Sequence, residues 1–347
     1  MAVSCLLISY LAPFVSPENF TFIAFFGLAY PVLVVINLVF VVYWLILWKK
    51  RFLISFIAIL TGWFLLINYW SFNFKNSIAP SGNNIKVMCY NVREFDLYNR
   101  PYNVTSRNKM FDLIRDESPA IICFQDFYAD DIHSFNTMDT LLQIQEAKNH
   151  HVAYTNTVLE NYHFGIATFS KYPIINKGEI DLPSDRKNTC IYTDLKINND
   201  TVRVYNIHLQ SVRLSNIVYA DPKIRFETKE VYENDITSTY KLLSFALKTR
   251  IPQAELVTEH IRKCRYKTIV CGDLNDIPAS YVYHSFSRYL VDAFKESGAG
   301  FGITFAGKIP FLRIDYIFHS TSIKSYGFNV IPEKLSDHYP VVCTLQL

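Results

Sequence analysis

Hydrophobic positions fall into two regimes along the 347-residue chain. Up to about residue 74 they run almost unbroken; beyond it, short apolar stretches alternate with polar ones. No charged residue occurs from Phe20 to Trp48, or from Phe52 to Trp70. Each run reaches the roughly 20 residues that carry a helix across a bilayer. Met1 to Pro17 is also uncharged but shorter. It lacks the basic start and small-residue cleavage site of a signal peptide. The pattern predicts two or three transmembrane helices, at about 20–48 and 52–70 and, as a third, about 1–16, an anchor over 1–74, and a separate domain over 75–347.

Lys49, Lys50 and Arg51 are the only basic residues before Lys75. The positive-inside rule places such a loop on the cytoplasmic face. The expected protein is therefore integral to a membrane, the bacterial inner membrane, with residues after about 75 in the periplasm. Trp63, Tyr69 and Trp70 fit an interfacial aromatic belt.

Beyond residue 75 the alternation changes to short strands. "NNIKVMCYNVREF" reads as a strand ending in polar residues, and "SRNKMFDLIRDESP" as an amphipathic helix with Met110, Phe111 and Ile114 inward. "AIICFQDF" is a buried strand, "FGIATFSKYPII" a strand and turn, and "CIYTDLKINNDTVRVYNIHLQS" a hairpin turning at "NNDT". Ile224 to Cys264 reads as helical, interrupted near Pro252. "YKTIVCGDLND", "FLRIDYIFHS" and "YPVVCTLQL" complete the strands.

Nearly every one of these strands stops at Asp, Asn or His. Two-residue spacing puts Asp273 with Asn275, Asn206 with His208, and Arg313 with Asp315 on common sides of their strands. "CYNVRE" adds Asn91, "CFQDF" adds Gln125 and Asp126, and "LSDHYPVVC" adds Asp337 and His338 at a strand mouth. Any one of these alone is commonly a cap or a turn residue. Together they supply carboxylates and amide oxygens suited to a hard divalent cation such as Mg²⁺, and a His paired with a carboxylate for proton transfer. A second His and Asn could bind charge developing on a phosphoryl oxygen. The sum points to metal-assisted attack of water on a phosphoester. No G-x-S-x-G elbow, Walker loop, dinucleotide fingerprint or H-E-x-x-H occurs.

From about Lys86 onward the chain resembles the endonuclease/exonuclease/phosphatase superfamily. The blocks "YNVREF", "CFQDF", "GIATFSKYPI", "YNIHL", "VCGDLND", "RIDYIF" and "SDHYPV" come in that family's order. The chain also resembles its membrane-anchored bacterial branch. The resemblance implies an α/β fold, a four-layered α/β/β/α sandwich with two mixed β-sheets, here preceded by transmembrane helices. It implies Asn91, Asp126 and Asp337 at the metal, Mg²⁺ or Mn²⁺. It implies His208, Asp273, Asn275, Asp315 and His338 as catalytic, with Asp273 acting on the water and Asp315 holding His338. Asn206 and Arg313 would contact substrate. The family's usual metal ligand at position 126 is Glu; Asp is shorter by about 1.5 Å, a large step against octahedral Mg²⁺ at ~2.1 Å.

Charge narrows the substrate. Three of 34 basic and one of 31 acidic residues precede residue 75, leaving 31 against 30 beyond it. That balance disfavours a surface built for long nucleic acid. The expected substrate is a phosphodiester or phosphomonoester, as on a phospholipid, a nucleotide or a nucleic acid, with the bilayer itself met by the N-terminal helices and no protein partner implied. A nuclease is one alternative; a catalytically silent binding module whose metal site Asp126 has degraded is another. Seven cysteines, odd in number and without zinc spacing, read as buried thiols. His150 and His151 read as solvated, and His163, His260, His284 and His319 carry no motif. Tyr281, Tyr283 and Phe305 are candidates for lining a cleft.

Overall fold

The uncharged N-terminal runs form helices, but in pieces. In the computed structural model, which describes all residues except 74–77, 100, 102, 133–134, 136, 147–148, 184–187, 213–235, 308 and 310, the first five helices are α1 (Ala2–Ser9), α2 (Thr21–Leu28), α3 (Tyr30–Ile46), α4 (Phe52–Thr61) and α5 (Trp63–Leu66). Pro31, in the first turn of α3, has no N–H to continue the ladder from α2. The two helices meet at 58°. Gly62 separates α4 from α5. The segments expected as spans at 1–16, 20–48 and 52–70 are thus helical in pieces: among the described residues no single helix is long and apolar enough to cross a membrane, while α2 and α3 together have the length and composition, as a bent pair.

The remaining strands and helices follow as β1 (Ser71–Phe72), β2 (Asn84–Asn91), α6 (Asn103–Glu117), β3 (Ile121–Asp130), α7 (Thr137–Ile144), β4 (Asn149–Val158), β5 (Tyr162–Ser170), β6 (Ile174–Ile180), β7 (Thr189–Ile197) and β8 (Asp200–His208). Then come α8 (Ile236–Lys263), β9 (Lys267–Asp273), α9 (Tyr281–Ser287), β10 (Val291–Asp292), α10 (Ala293–Ser297), β11 (Ala299–Gly300), β12 (Asp315–His319), β13 (Lys324–Val330) and β14 (Val341–Gln346). The expected break near Pro252 does not occur: α8 runs through it. The stretch expected to be helical from Ile224 lies partly outside the described residues.

Two six-stranded sheets result, β13-β14-β2-β3-β5-β4 and β10-β12-β9-β8-β7-β6. Each is mixed, with one parallel pair at its centre: β2 with β3, and β8 with β9. Their inner faces meet in a core of Val87, Cys89, Cys123, Val204, Cys271, Ile317 and Val341, among others. Five of the seven thiols are buried, and all are free. Helices α6 and α7 cover the outer face of the first sheet through Met110, Phe111, Ile114 and Leu141. Helices α8 and α9 cover the second through Ala254, Val257, Val282 and Phe286. The layers are therefore α/β/β/α.

His151 is not solvated. It is buried on β4 and its Nδ1 lies 3.1 Å from Thr193 Oγ1 on β7, across the sheets. Burial, with Lys177 adding, pushes its pKa down to about 4.

Candidate active site

Parallel strands carry function at their carboxyl ends, and both central pairs end on the same side. Asn91 closes β2 beside Gln125 of β3, and His208 closes β8 beside Asp273 of β9. Strand β12 runs antiparallel to β9, so its first residue, Asp315, stands opposite Asp273. One register row, His208–Asp273–Asp315, thus supplies three polar groups. Asn91 Nδ2 donates across the sheets to Asp273 Oδ2 at 3.0 Å.

His338 enters from the loop ahead of β14. Its Nδ1 lies 2.9 Å from Asp315 Oδ2, and its Nε2 lies 3.8 Å from Asp273 Oδ2. His208 Nε2 stands at the same distance from that oxygen, 3.8 Å. Asp273 is buried, and its other oxygen accepts from the Asn275 backbone N–H at 2.8 Å. Asn275 takes the left-handed conformation, φ 52°, to make that turn, and its side chain donates to Leu209 O.

Burial pushes the Asp273 carboxyl up to about 6, with His338 and His208 pulling the other way. Burial alone would lower the His338 imidazole. The Asp315 and Asp273 carboxylates outweigh it and raise the pKa to about 10. At neutral pH, His338 is therefore a cation held between two carboxylates, a donor rather than a base.

Asp126 sits where β3 leaves its ladder. The pairing with β5 shifts register between Phe124 and Phe127, and Asp126 adopts φ 46°. A bulge of this kind re-aims a side chain. Here it brings the shorter acid to 3.5 Å from His208 Nδ1 and 3.4 Å from Asn91 Nδ2. Asp337 lies at the opening, 3.3 Å from Ser336 Oγ and 3.7 Å from Arg93 Nε. The Asp126 and Asp337 side chains are 39% and 28% exposed, against 1% for Asp273 and Asp315.

Oxygen donors that are partly open and only loosely engaged suit a hard divalent cation. Asp126 and Asp337 fit that requirement, with Asn91 beside Asp126. Asp273, Asp315 and His338 also cluster, with donor atoms within 4.8 Å of one another. The short His338–Asp315 bond already occupies that group with itself.

Two expected substrate contacts lie elsewhere. Arg313 is buried before β12 begins and pairs with Asp292 Oδ2 at 2.8 Å, its guanidinium lying over the rings of Phe294 and Tyr316. Asn206 is buried between the sheets. Its oxygen accepts from Gln125 Nε2 at 2.7 Å, and its amide donates to the Phe124 and Ala167 carbonyls at 3.1 and 3.0 Å. Asn206 is fully engaged and Arg313 is buried and paired through Nη2, so both build the site's support. Tyr283 is buried against Asp292, and Tyr281 reaches Glu255 at the surface.

Sequence reasoning passed over two supports. Thr304 Oγ1 accepts from the Ile314 and Asp315 N–H groups. Ser336 Oγ donates to the Asn91 carbonyl, tying the His338 loop to β2. Hydroxyls carry no spacing signal, although Ser336 does open the Ser-Asp-His run. Phe305, a candidate from the sequence for lining a cleft, lies near-perpendicular to His338, centroids 5.4 Å apart.

The comparisons agree with this geometry. Residues 88–338 match the model of the endonuclease/exonuclease/phosphatase family. The chain belongs to that family, whose members are metal-dependent hydrolases of phosphoester bonds. Residues 1–69 match a second family, described as a domain of unknown function. No curated protein matches in sequence. Among solved structures, an endonuclease/exonuclease/phosphatase protein of Beutenbergia cavernae aligns with TM-score 0.56 and 18% identity over 76% of this chain and 72% of that one. One from Bacteroides thetaiotaomicron aligns at 0.55 and 16% over 76% and 97%. The catalytic domain of human nocturnin aligns at 0.54 and 17% over 79% and 98%. At these identities the structures attest the fold alone.

Proposed function

We propose that the protein is a divalent-metal-dependent phosphoesterase that hydrolyses a phosphodiester or phosphomonoester, held at a membrane by its N-terminal helices. The observation that carries the chemistry is the register row His208–Asp273–Asp315 closed by His338. Asp273, with its pKa brought up to about 6, is placed to orient a water and take its proton near neutral pH. Asn275 fixes the carboxylate through its backbone N–H. His338, kept cationic by Asp315, offers Nε2–H to charge developing on a phosphoryl oxygen, and His208 flanks it on the other side of Asp273. Asp126 and Asp337, aided by Asn91, would hold Mg²⁺ or Mn²⁺, which when bound polarises a phosphoryl oxygen as a Lewis acid.

The bilayer reading rests on surface chemistry. Large apolar side chains such as Leu7, Phe22, Val35, Val39, Ile46, Ile54 and Ile57 are exposed across α1 to α4. Apolar surface on that scale marks a protein or membrane contact. The basic turn at Lys49, Lys50 and Arg51 is exposed between α3 and α4, which favours an extracytoplasmic catalytic domain. Such a site meets phospholipid headgroups, nucleotides and nucleic-acid fragments. The even charge balance argues against long nucleic acid as the main substrate, so a nuclease is the second reading.

The test is an assay of the full chain on a chromogenic phosphodiester and the matching monoester, with Mg²⁺, Mn²⁺ or chelator, beside His338→Ala. Metal-dependent turnover lost in the variant supports the reading. Metal binding without turnover on either ester or on DNA points to a binding module instead.

A further inference from the structure

We propose that the N-terminal helical segment is a working part of the active site, and that Phe305 is the positioning residue through which it holds His338. The kinetic side of this proposal rests on the phosphoesterase reading above; the structural side stands without it.

Buried residues of that segment, Leu6, Tyr30, Ala58, Leu65 and Tyr69, form one apolar cluster with Ile277, Ala279 and Ile314 of the sandwich. These three are not remote positions. Ile277 and Ala279 follow Asn275 by two and four residues, and Ile314 immediately precedes Asp315. The cluster is reinforced by a polar bond: Arg313 Nη2 donates to the Asn68 carbonyl at 2.8 Å. A buried guanidinium so tightly placed fixes the chain that leads into Asp315.

Phe305 touches both sides. Its side chain packs against the cluster that joins the N-terminal segment to Ile277, Ala279 and Ile314, and its ring stands near-perpendicular to the His338 imidazole, at 81°. Its backbone is equally constrained. The Thr304 and Phe305 N–H groups donate to Leu312 O at 3.0 and 3.1 Å. On the other side, Tyr339 N donates to Thr304 O at 2.6 Å and Ala306 N to Asp337 O at 2.7 Å. Thr304 to Ala306 is thus a short ribbon between the segment that carries Asp315 and the one that carries His338.

The need for such a wall follows from the geometry of the pair. Asp315 holds the imidazole at Nδ1 alone, so the ring is free to tilt about that bond. A near-perpendicular aromatic ring packed against the imidazole restricts that freedom with directional preference. A tilt would swing Nε2 away from Asp273 and from the reacting oxygen. Misplacements of about 1 Å are enough to cost up to about 100-fold in rate.

The experiment uses the full chain in lipid nanodiscs, with histidine ¹³C-labelled at Cε1 and the His338 signal assigned by its absence in His338→Gln. Phe305→Leu keeps an apolar contact but removes the ring current. It is expected to shift the His338 signal and lower kcat about tenfold on a small phosphodiester, with KM changed less than about twofold; Phe305→Tyr restores both. Leu65→Ala, in the N-terminal cluster and without contact to substrate, is expected to move the same signal and lower kcat about threefold. Leu65→Val replaces it if the alanine variant does not fold. A His338 signal unmoved by the Leu65 variant, or kcat unchanged in Phe305→Leu, overturns the proposal. Wild-type protein with no turnover overturns the phosphoesterase reading instead, and the spectra still decide this one.

Discussion

The two walls of the cleft differ in how tightly they are held. The wall built on β8, β9 and β12 is dry: Asp273 and Asp315 are almost fully enclosed, and each is fixed by a bond of 2.9 Å or less. His338, from the loop before β14, is docked on that dry wall, whereas the wall formed by β2, β3 and Asp337 is open, and the side-chain contacts of Asp126 and Asp337 are 3.3 Å or longer. Proton chemistry needs a fixed geometry and a shifted pKa, which burial supplies. Binding a cation needs oxygens free to turn toward it. The difference is what separates the proposed roles, more than residue type does, since carboxylates stand on both walls.

The largest effect should come from the dry wall. Asp273→Asn and His338→Ala are each expected to lower kcat by about 10³-fold with the metal still bound. Calorimetric titration of Mn²⁺ into each variant would separate the walls. If either loses the metal as well, the division of labour is wrong. On the open wall, Asp126→Ala should weaken Mn²⁺ binding by about 10- to 100-fold. Asp126→Glu would sharpen the point: a longer arm on a bulge already aimed at the cleft should change the Mg²⁺ requirement severalfold, read from kcat against Mg²⁺ concentration.

pH should act on the dry wall alone. Turnover is expected to fall as pH drops through about 6, where Asp273 takes up its proton. For stability the sign is opposite. The folded-state pKa of His338 lies above its unfolded value of about 6.5, at about 10. Its contribution is complete below pH 6.5 and lost as pH rises through 10. Melting of metal-free protein across pH 6.5–10 should therefore decline, and His338→Gln should flatten that decline. The smallest effect on chemistry belongs to Asn206→Ala. Leaving its partners unpaired should cost about 1–3 kcal/mol of stability, seen in urea unfolding, with kcat changed little.

The strand ends were legible because each apolar run stops at a polar group and the runs lie in two sheets. Two-residue spacing misled where its premise failed. Arg313 lies outside β12, which begins at Asp315, so it does not share that residue's face. Asn206 does share a face with His208, but one row deeper, where the facing sheet closes over it. The bulge at Asp126 and the break at Ala29 depend on local backbone geometry that hydropathy does not encode. His151 looked solvated because its neighbours are polar; the strand's alternation, read strictly, turns it inward.

The bond from Arg313 to Asn68 joins residues 245 positions apart. Contacts so distant in sequence are slow to form. Folding therefore leaves the cluster around Leu65 and Tyr69 uncovered until Ile277, Ala279 and Ile314 reach it, and the approach to Asp315 is ordered in that same late step.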